Sequence, residues 1–359
     1  VRTLLIVNPN ATSTTPATRD LLAHALESRT QLTVAHTQHR GHAAELAQWA
    51  ATQEMDLIVV HGGDGTVNET INGFLPLPEV DDGQAWTPRL GVIPGGSANV
   101  FARGLGMQAD PVAATNQLID LLSLDSRGSG TAASREPGTA ASRELDTAAS
   151  RELDTAPSHE SDTATGDRRI GLCLADDRWC LFAAGVGLDA DVCAAIDRSR
   201  AKGHTATPAR YVRTTVRQFF RAKRTPPTVT LHIPDREPVT DVHYAFVTNT
   251  NPWTYLDGRP VRTNPGTTFE TDLGVFAMRS MSVVSTLVVT RQLLSTSADP
   301  KSRNLFRLDD VPSVRIEASE PIGLQIDGDF IGLRNVVDFT SVPKRLSVIA
   351  PQPWVPRHR

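Results

Sequence analysis

A run of fifteen residues, Asp56-Leu-Ile-Val-Val-His-Gly-Gly-Asp-Gly-Thr-Val-Asn-Glu-Thr70, leaves this chain few folds to choose from. Residues 57–60 are apolar with β-branched residues at the centre. That is the pattern of a strand buried on both faces of a parallel sheet. Gly62, Gly63 and Gly65 follow at once, and a helical pattern opens at Thr66, with Val67, Thr70, Ile71 and Phe74 at helical spacing. An α/β sheet presents a phosphate site in this order of strand, glycine turn and helix. Glycine lets an anion approach the backbone, and the helix start offers unpaired N–H groups at the positive end of its dipole. Thr66 can cap that helix or bond a phosphate. Asp64 would repel a phosphate unless a magnesium ion stands between them or the carboxylate handles a hydroxyl proton. The plainer alternative is an ordinary Asp-Gly turn, and the context favours the nucleotide site. No G-x-G-x-x-G and no Gly-Lys-Ser/Thr is present here, which excludes the dinucleotide fingerprint and the Walker A loop.

The neighbouring segments fit the same sheet. Residues 3–7 are a first strand, ended by Asn8-Pro9, and the hydroxyls of Thr12 to Thr15 precede a helical pattern through Leu21, Leu22, Ala25 and Leu26. Residues 31–36 are a second strand, followed by Thr37 and a helix bearing Ala44, Leu46, Ala47, Trp49 and Ala50. His36, His39 and His42 read as solvated loop histidines rather than a metal set. Residues 89–93 are a further strand, closed by Pro94-Gly-Gly-Ser-Ala-Asn-Val-Phe-Ala-Arg103, a second glycine turn into a helix. Two such loops at the strand ends of one sheet converge on one crevice.

Gly62-Gly-Asp-Gly-Thr66, followed by Asn68-Glu69 and Asn72-Gly73, together with the second loop, resembles the diacylglycerol kinase catalytic-domain family. That family also includes sphingosine and ceramide kinases and bacterial lipid kinases; NAD kinases and phosphofructokinases share a similar first loop. The resemblance covers nearly the whole chain outside residues 125–167. It implies an α/β nucleotide-binding domain with a parallel sheet of the NAD kinase/phosphofructokinase kind over residues 1–124. It also implies a C-terminal β-rich sandwich domain over residues 168–359, with its last segment returning to the first domain. The activity implied is phosphorylation of a hydroxyl of diacylglycerol or a related lipid, giving phosphatidic acid or an analogous phospholipid, with ATP and Mg2+ as cofactors. Nucleotide contacts carry over onto Asn8, Thr12, Thr37, Gly62, Gly63, Asp64, Gly65, Thr66, Asn68, Gly96, Ser97 and Asn99. The chain departs from the family at Ala11-Thr12, where a Ser-Gly pair is usual, at Ser97, where a threonine is, and at Val100, where an aspartate is.

Leu324-Gln-Ile-Asp-Gly-Asp329 falls where the family carries Asp-Gly-Glu. The resemblance implies Asp329 or Asp327 as the base that takes the lipid hydroxyl proton, and Asp64 on the Mg–ATP side, with the roles exchangeable. Spacing alone favours two solvated acids flanking a hairpin turn. A second, structural magnesium of bacterial members maps onto Glu270-Thr-Asp272, with Asp272 its best ligand and a turn acid the alternative. A sphingoid or ceramide kinase, an NAD kinase, and a nucleotide- or lipid-binding protein without turnover remain open as functions.

Composition bounds the rest. Residues 131–138 repeat as 139–146, 147–154 and, degenerate, 155–162, with almost no large apolar side chain, so residues 125–167 read as a disordered insertion. Over residues 131–166 there are three Arg and seven Asp/Glu, so the chain's net charge of −4 lies in the repeats and the remainder balances at 33 basic and 33 acidic. Cys173, Cys180 and Cys193 lack ligand spacing and suit a reducing compartment. No signal peptide or apolar run of spanning length is visible. The expectation is a cytoplasmic protein that visits the inner face of the membrane to reach its lipid, with a homodimer an open alternative. Residues 198–224 hold nine Lys/Arg and no Asp/Glu, and Arg210, Arg213, Arg217, Arg221 and Arg224 fall on one helical stripe. Val212, Val216 and Phe219 fall on the other side, flanked by Tyr211 and Phe220. The stripe reads either as a solvated basic face or as a docking surface for anionic lipid. No nucleic-acid reader motif accompanies it.

Overall fold

The structure is a computed structural model and describes residues 1–11, 15–79, 81, 85–129, 166–201, 208–256, 258–295 and 299–353. The first half alternates strand and helix: β1 (Arg2–Val7), α1 (Pro16–Glu27), β2 (Gln31–His36), α2 (His42–Thr52), β3 (Leu57–Gly62), α3 (Asp64–Phe74), β4 (Arg89–Pro94), α4 (Val100–Gly104) and α5 (Pro111–Ser129). The strands run in the order β2-β1-β3-β4, all parallel. β3 is buried along its whole length, as its apolar run requires. Leu4, Ile6, Leu57, Ile58, Val92 and Ile93 fill the core with Leu22, Ala47, Ile71 and Leu118 from the helices. α2 and α3 approach closely because Gly73 lies against the backbone of Ala44. All four strands deliver their carboxyl ends to one edge, and the order reverses between β1 and β3, where an open α/β sheet binds its ligand.

The second half is β-rich: β5 (Asp167–Ala175), β6 (Arg178–Cys180), β7 (Ala183–Val186), α6 (Leu188–Ala201), α7 (Pro208–Ala222), β8 (Val229–His232), β9 (Val239–Val242), β10 (Tyr244–Thr248), β11 (Thr254–Leu256), β12 (Arg259–Val261), β13 (Leu273–Met278), α8 (Val283–Leu293), β14 (Leu305–Val311), β15 (Ser313–Ile326) and β16 (Asp329–Ile349). The strands close around a core that includes Val186, Leu231, Val247, Val275, Ile316 and Phe339. A second apolar cluster, with Tyr244, Phe246, Phe276 and Met278 at its centre, is covered by α7 and α8. β15 and β16 form one long hairpin, although residues 313–317 and 346–349 are the only parts that alternate cleanly enough to read as strands. β-Bulges between Glu317 and Ile322 and between Leu324 and Gln325 break the alternation without breaking the pairing. Near its end β16 pairs in parallel with β4 at Val348 and Leu90, so the two halves share one continuous sheet.

The tip of that hairpin decides where the late acidic residues go. Ile326 pairs with Asp329, leaving a two-residue turn. Asp327 (φ +50) and Gly328 (φ +88) both take left-handed backbone, as a type I′ turn demands. β15 is flanked by β7, so the tip reaches the edge where the glycine loops lie.

Candidate active site

A cavity of about 220 Å³ opens at the carboxyl edge of the parallel sheet, lined by Asn8, Asn10, Thr37, Gln38, His39, Arg40, Thr66 and Glu69. It spans the switch point: Asn8, just after β1, donates from Nδ2 to Oγ1 of Thr66, at the start of α3, at 3.0 Å. The two glycine loops meet backbone to backbone beside it. The Gly95 amide donates to the Gly62 carbonyl at 2.8 Å. A Cβ on Gly95 would stand 2.9 Å from Cα of Gly62, and one on Gly96 2.7 Å from Cα of Gly63, so side chains at these positions would pry the loops apart. Gly65 has open space around it. Ser97 is exposed at the tip of the second loop.

Asn99 builds that loop. It takes left-handed backbone (φ +48), its Oδ1 accepts from the Gly96 amide and its Nδ2 donates to the Gly96 carbonyl, both at 2.8 Å. Its side chain is thereby spent on the turn. Asp64 is likewise engaged: its two oxygens accept from the amides of Val100 and Phe101, each at 3.0 Å, and so cap α4. Burial pushes its carboxyl up to about 6, against the pull of those amides, and the charge of Asp327 adds to the rise. Asp64 thereby ties the first loop to the second.

Asp327 and Asn68 also leave the cavity. Asp327 accepts from the amides of Leu181, Phe182 and Ala183 at 2.7, 3.0 and 3.1 Å, and from Nδ2 of Asn68 at 2.6 Å. Burial raises its carboxyl above the usual range while these donors pull the other way. It sits buried. Asn68 also donates to the Trp179 carbonyl and accepts from Nη2 of Arg178, so its amide joins α3 to the second half of the chain. Asn72, one turn on, accepts from the Trp179 amide at 2.9 Å.

Asp329 is the acid that stays at the cleft. Its carboxylate pairs with Nη2 of Arg40 at 3.2 Å across the gap between hairpin tip and the β2–α2 loop. Arg40, Asn10, Gln38, His39 and Glu69 have no place among the expected site residues, yet all line the cavity. The available signal was position: a loop at the carboxyl end of a parallel strand faces the crevice whatever its residues. Thr12 lies outside the described residues. Asp272 stands beside Asp310, whose Oδ1 accepts its amide, while Glu270 forms an ion pair with Arg168. Among the described residues no three potential metal ligands cluster.

The comparisons with known proteins follow this division of the chain. Residues 2–125 match the model of the diacylglycerol kinase catalytic domain. Over this region the chain is similar to the diacylglycerol kinase catalytic domain. Within it the chain is 46% identical over 72 residues to a diacylglycerol kinase of Bacillus subtilis, covering 20% of this chain and 22% of that protein. It is 37% identical over 84 residues to a diacylglycerol kinase of Staphylococcus haemolyticus, covering 23% of each. The matched stretches thus span under a quarter of those relatives. The fold likeness extends further: a crystal structure of a diacylglycerol kinase from Bacillus anthracis superposes with a TM-score of 0.64 at 20% identity, covering 97% of this chain and 96% of that one. The matched region contributes all of the cavity-lining residues, and the β-rich half contributes Asp329, paired with Arg40 among them.

Proposed function

We propose that this chain is an ATP-dependent lipid kinase that phosphorylates the hydroxyl of diacylglycerol or a related lipid at a membrane surface. The observation that carries the reading is the pair of glycine loops abutting at the switch point of a sheet whose family is that of the diacylglycerol kinases. Such loops leave room for backbone approach to phosphate. Arg40 adds a cation within the cavity, and Asn8, Thr37 and Thr66 add neutral partners. These residues suit a nucleotide triphosphate.

The fit to magnesium is narrower. Asp64 has both oxygens on backbone amides, and Glu69 is the acidic residue among those lining the cavity. Magnesium at kinase sites takes one or two carboxylates with phosphate oxygens and waters, and Glu69 is the carboxylate that would hold it here. When bound, the ion neutralises charge on the transferring phosphoryl group. We assign Asp329 as proton acceptor for the lipid hydroxyl. Its carboxylate lies 3.2 Å from Nη2 of Arg40, a residue that lines the cavity, which holds it within reach of a bound hydroxyl. Among the described residues no helix is long and apolar enough to cross a membrane. In this reading the chain meets its lipid at a surface, with exposed Arg213, Arg217 and Arg221 of α7 as contacts for anionic headgroups.

A second reading, binding without turnover, is favoured by the full engagement of Asp64 and Asp327. Radiolabelled ATP incubated with a panel of diacylglycerol, sphingosine, ceramide and NAD separates the readings. Label on a glycerolipid supports the proposal. Label on NAD or a sphingoid base reassigns the substrate, and ATP binding without transfer to any acceptor overturns the kinase.

A further inference from the structure

The face of the β-rich half formed by α7 and α8 has two properties that a core-packed helix pair would not combine. Both helices are anchored on the same apolar cluster, α7 through Phe219 and Ala222 and α8 through Val289 and Leu293. On their outer sides each presents apolar side chains to solvent. On α8, Val284 is 72% exposed and Leu287 64%, with Val288 beside them and exposed Arg291 one turn on. On α7, Val212, Val216 and Phe220 repeat every fourth residue and are all about half exposed or more. Gln218, Phe219 and Ala222 occupy the packed side of the helix. The arginines at 213, 217 and 221 form a parallel stripe about 100° around the helix. α7 holds no acidic residue, and the charge of Arg221 acts on Asp191 of α6.

We infer that the α7–α8 face is a bilayer-docking surface in which Val284, Leu287, Val216 and Phe220 enter the headgroup region while the arginine stripe holds anionic lipid phosphates. The occupant follows from the pattern. Apolar ridges alone would suit a second copy of the chain, but a two-fold contact would bring like-charged arginine stripes together, whereas an anionic bilayer meets both features. The inference names the membrane partner of the proposed lipid kinase and rests on that reading for its purpose, though not for its test.

The test uses the full chain and vesicles of phosphatidylcholine with or without phosphatidylglycerol, in the absence of ATP. Wild type is expected to float with phosphatidylglycerol vesicles at low salt and to keep part of that binding at high salt. Val284→Ser combined with Leu287→Ser removes apolar surface at constant charge and lowers partitioning about tenfold or more at both salt concentrations. Arg213→Gln combined with Arg217→Gln lowers it at low salt by about fivefold per arginine and changes little at high salt, where the attraction is screened. The substituted positions are exposed, and an unchanged melting temperature shows that the fold is retained. Absence of wild-type binding, or equal binding by the Ser variant, overturns the inference. So does loss of a dimer in sedimentation by that variant with vesicle binding unchanged, which would make the face a self-interface. Because binding is read without turnover, a chain that docks but transfers no phosphate removes the kinase reading and leaves the docking surface. Transfer to a dispersed short-chain lipid without vesicle binding does the reverse.

Discussion

Two acids at one hairpin tip, Asp327 and Asp329, have opposite surroundings, and a matched pair of substitutions separates them. Asp327 answers three backbone amides and Asn68. In Asp327→Asn an NH2 group replaces one acceptor oxygen, so at least one buried N–H faces a donor. Each unsatisfied group costs ~1–3 kcal/mol, and denaturant unfolding should show a loss of about 2–4 kcal/mol. Asp329→Asn breaks only a partly exposed ion pair, worth ~0–1 kcal/mol, so the unfolding midpoint should barely move. Turnover in the ATP assay should instead fall by ~100-fold or more, the usual contribution of a positioned base. Normal turnover in Asp329→Asn would end its assignment. A third acid serves neither role. Asp189 is half-buried at the start of α6 with Oδ2 accepting from Gln325 at 2.6 Å, and the loss of water around it raises its carboxyl to about 6. Its folded pKa stands above the usual 3.8, so the folded state holds the proton longer. Its contribution to stability is therefore lost as pH rises from about 4 through about 6. Asp189→Asn should flatten that part of the stability profile and raise stability at pH 7 by at most ~3 kcal/mol. An unchanged profile between pH 4 and 7 would show that Asp189 titrates normally.

At the scale of elements, the glycines of α3 differ in purpose. A Cβ on Gly73 would lie 2.3 Å from the Ala44 carbonyl oxygen, so Gly73→Ala must push α2 and α3 apart. Overpacking of this kind costs ~1–3 kcal/mol, and thermal unfolding should register it. Gly65 has nothing within 4 Å, and Gly65→Ala should be neutral or stabilise α3 by up to ~1 kcal/mol. It should nonetheless weaken ATP binding in calorimetry, because the new methyl group stands where phosphate would approach. Unchanged ATP affinity would move the phosphates elsewhere. The local pattern made this element legible: the apolar run of β3, its glycines and the helical spacing after Thr66 are contiguous in sequence. The partners of Asn68 were not legible, because Trp179, Arg178 and Asp327 are more than a hundred residues away in sequence. The β15–β16 hairpin was only half legible, since bulges interrupt its alternation. α8 gave no helical signal: Val-Val-Ser-Thr-Leu-Val-Val is rich in β-branched residues, and its few inward residues pack on a cluster built from distant strands.

At the scale of the whole molecule, the two halves are joined by long-range contacts rather than by the segment that links them in sequence. Val348 of β16 pairs with Leu90 of β4, Asn68 bonds Asp327, and Arg168 reaches Glu270 and the carbonyls of Leu105 and Pro351. The octapeptide repeats lie outside the described residues, and these contacts make no use of them. Gly166 belongs with the fold: its carbonyl accepts from the Ala350 amide at 3.1 Å, and its Cα is packed so closely on Leu121 that no Cβ would fit. A deletion must therefore stop at residue 165. α5 runs on to Ser129, and eight residues of helix beyond Leu121 cover ~12 Å. A six-residue Gly/Ser linker at ~3.3 Å per residue spans the return to Gly166. Replacing the 36 residues 130–165 in this way shortens the loop sixfold and lowers its closure cost by ~1.6 kcal/mol. The deleted chain should thus melt at the same temperature or a few degrees higher, with ATP-dependent turnover unchanged. The deletion also removes the net charge of −4, so the comparison belongs in moderate salt, where changes in solubility do not masquerade as stability. A large fall in melting temperature would show that the repeats pack against the fold. Unchanged melting with lost turnover would place them at the cleft instead.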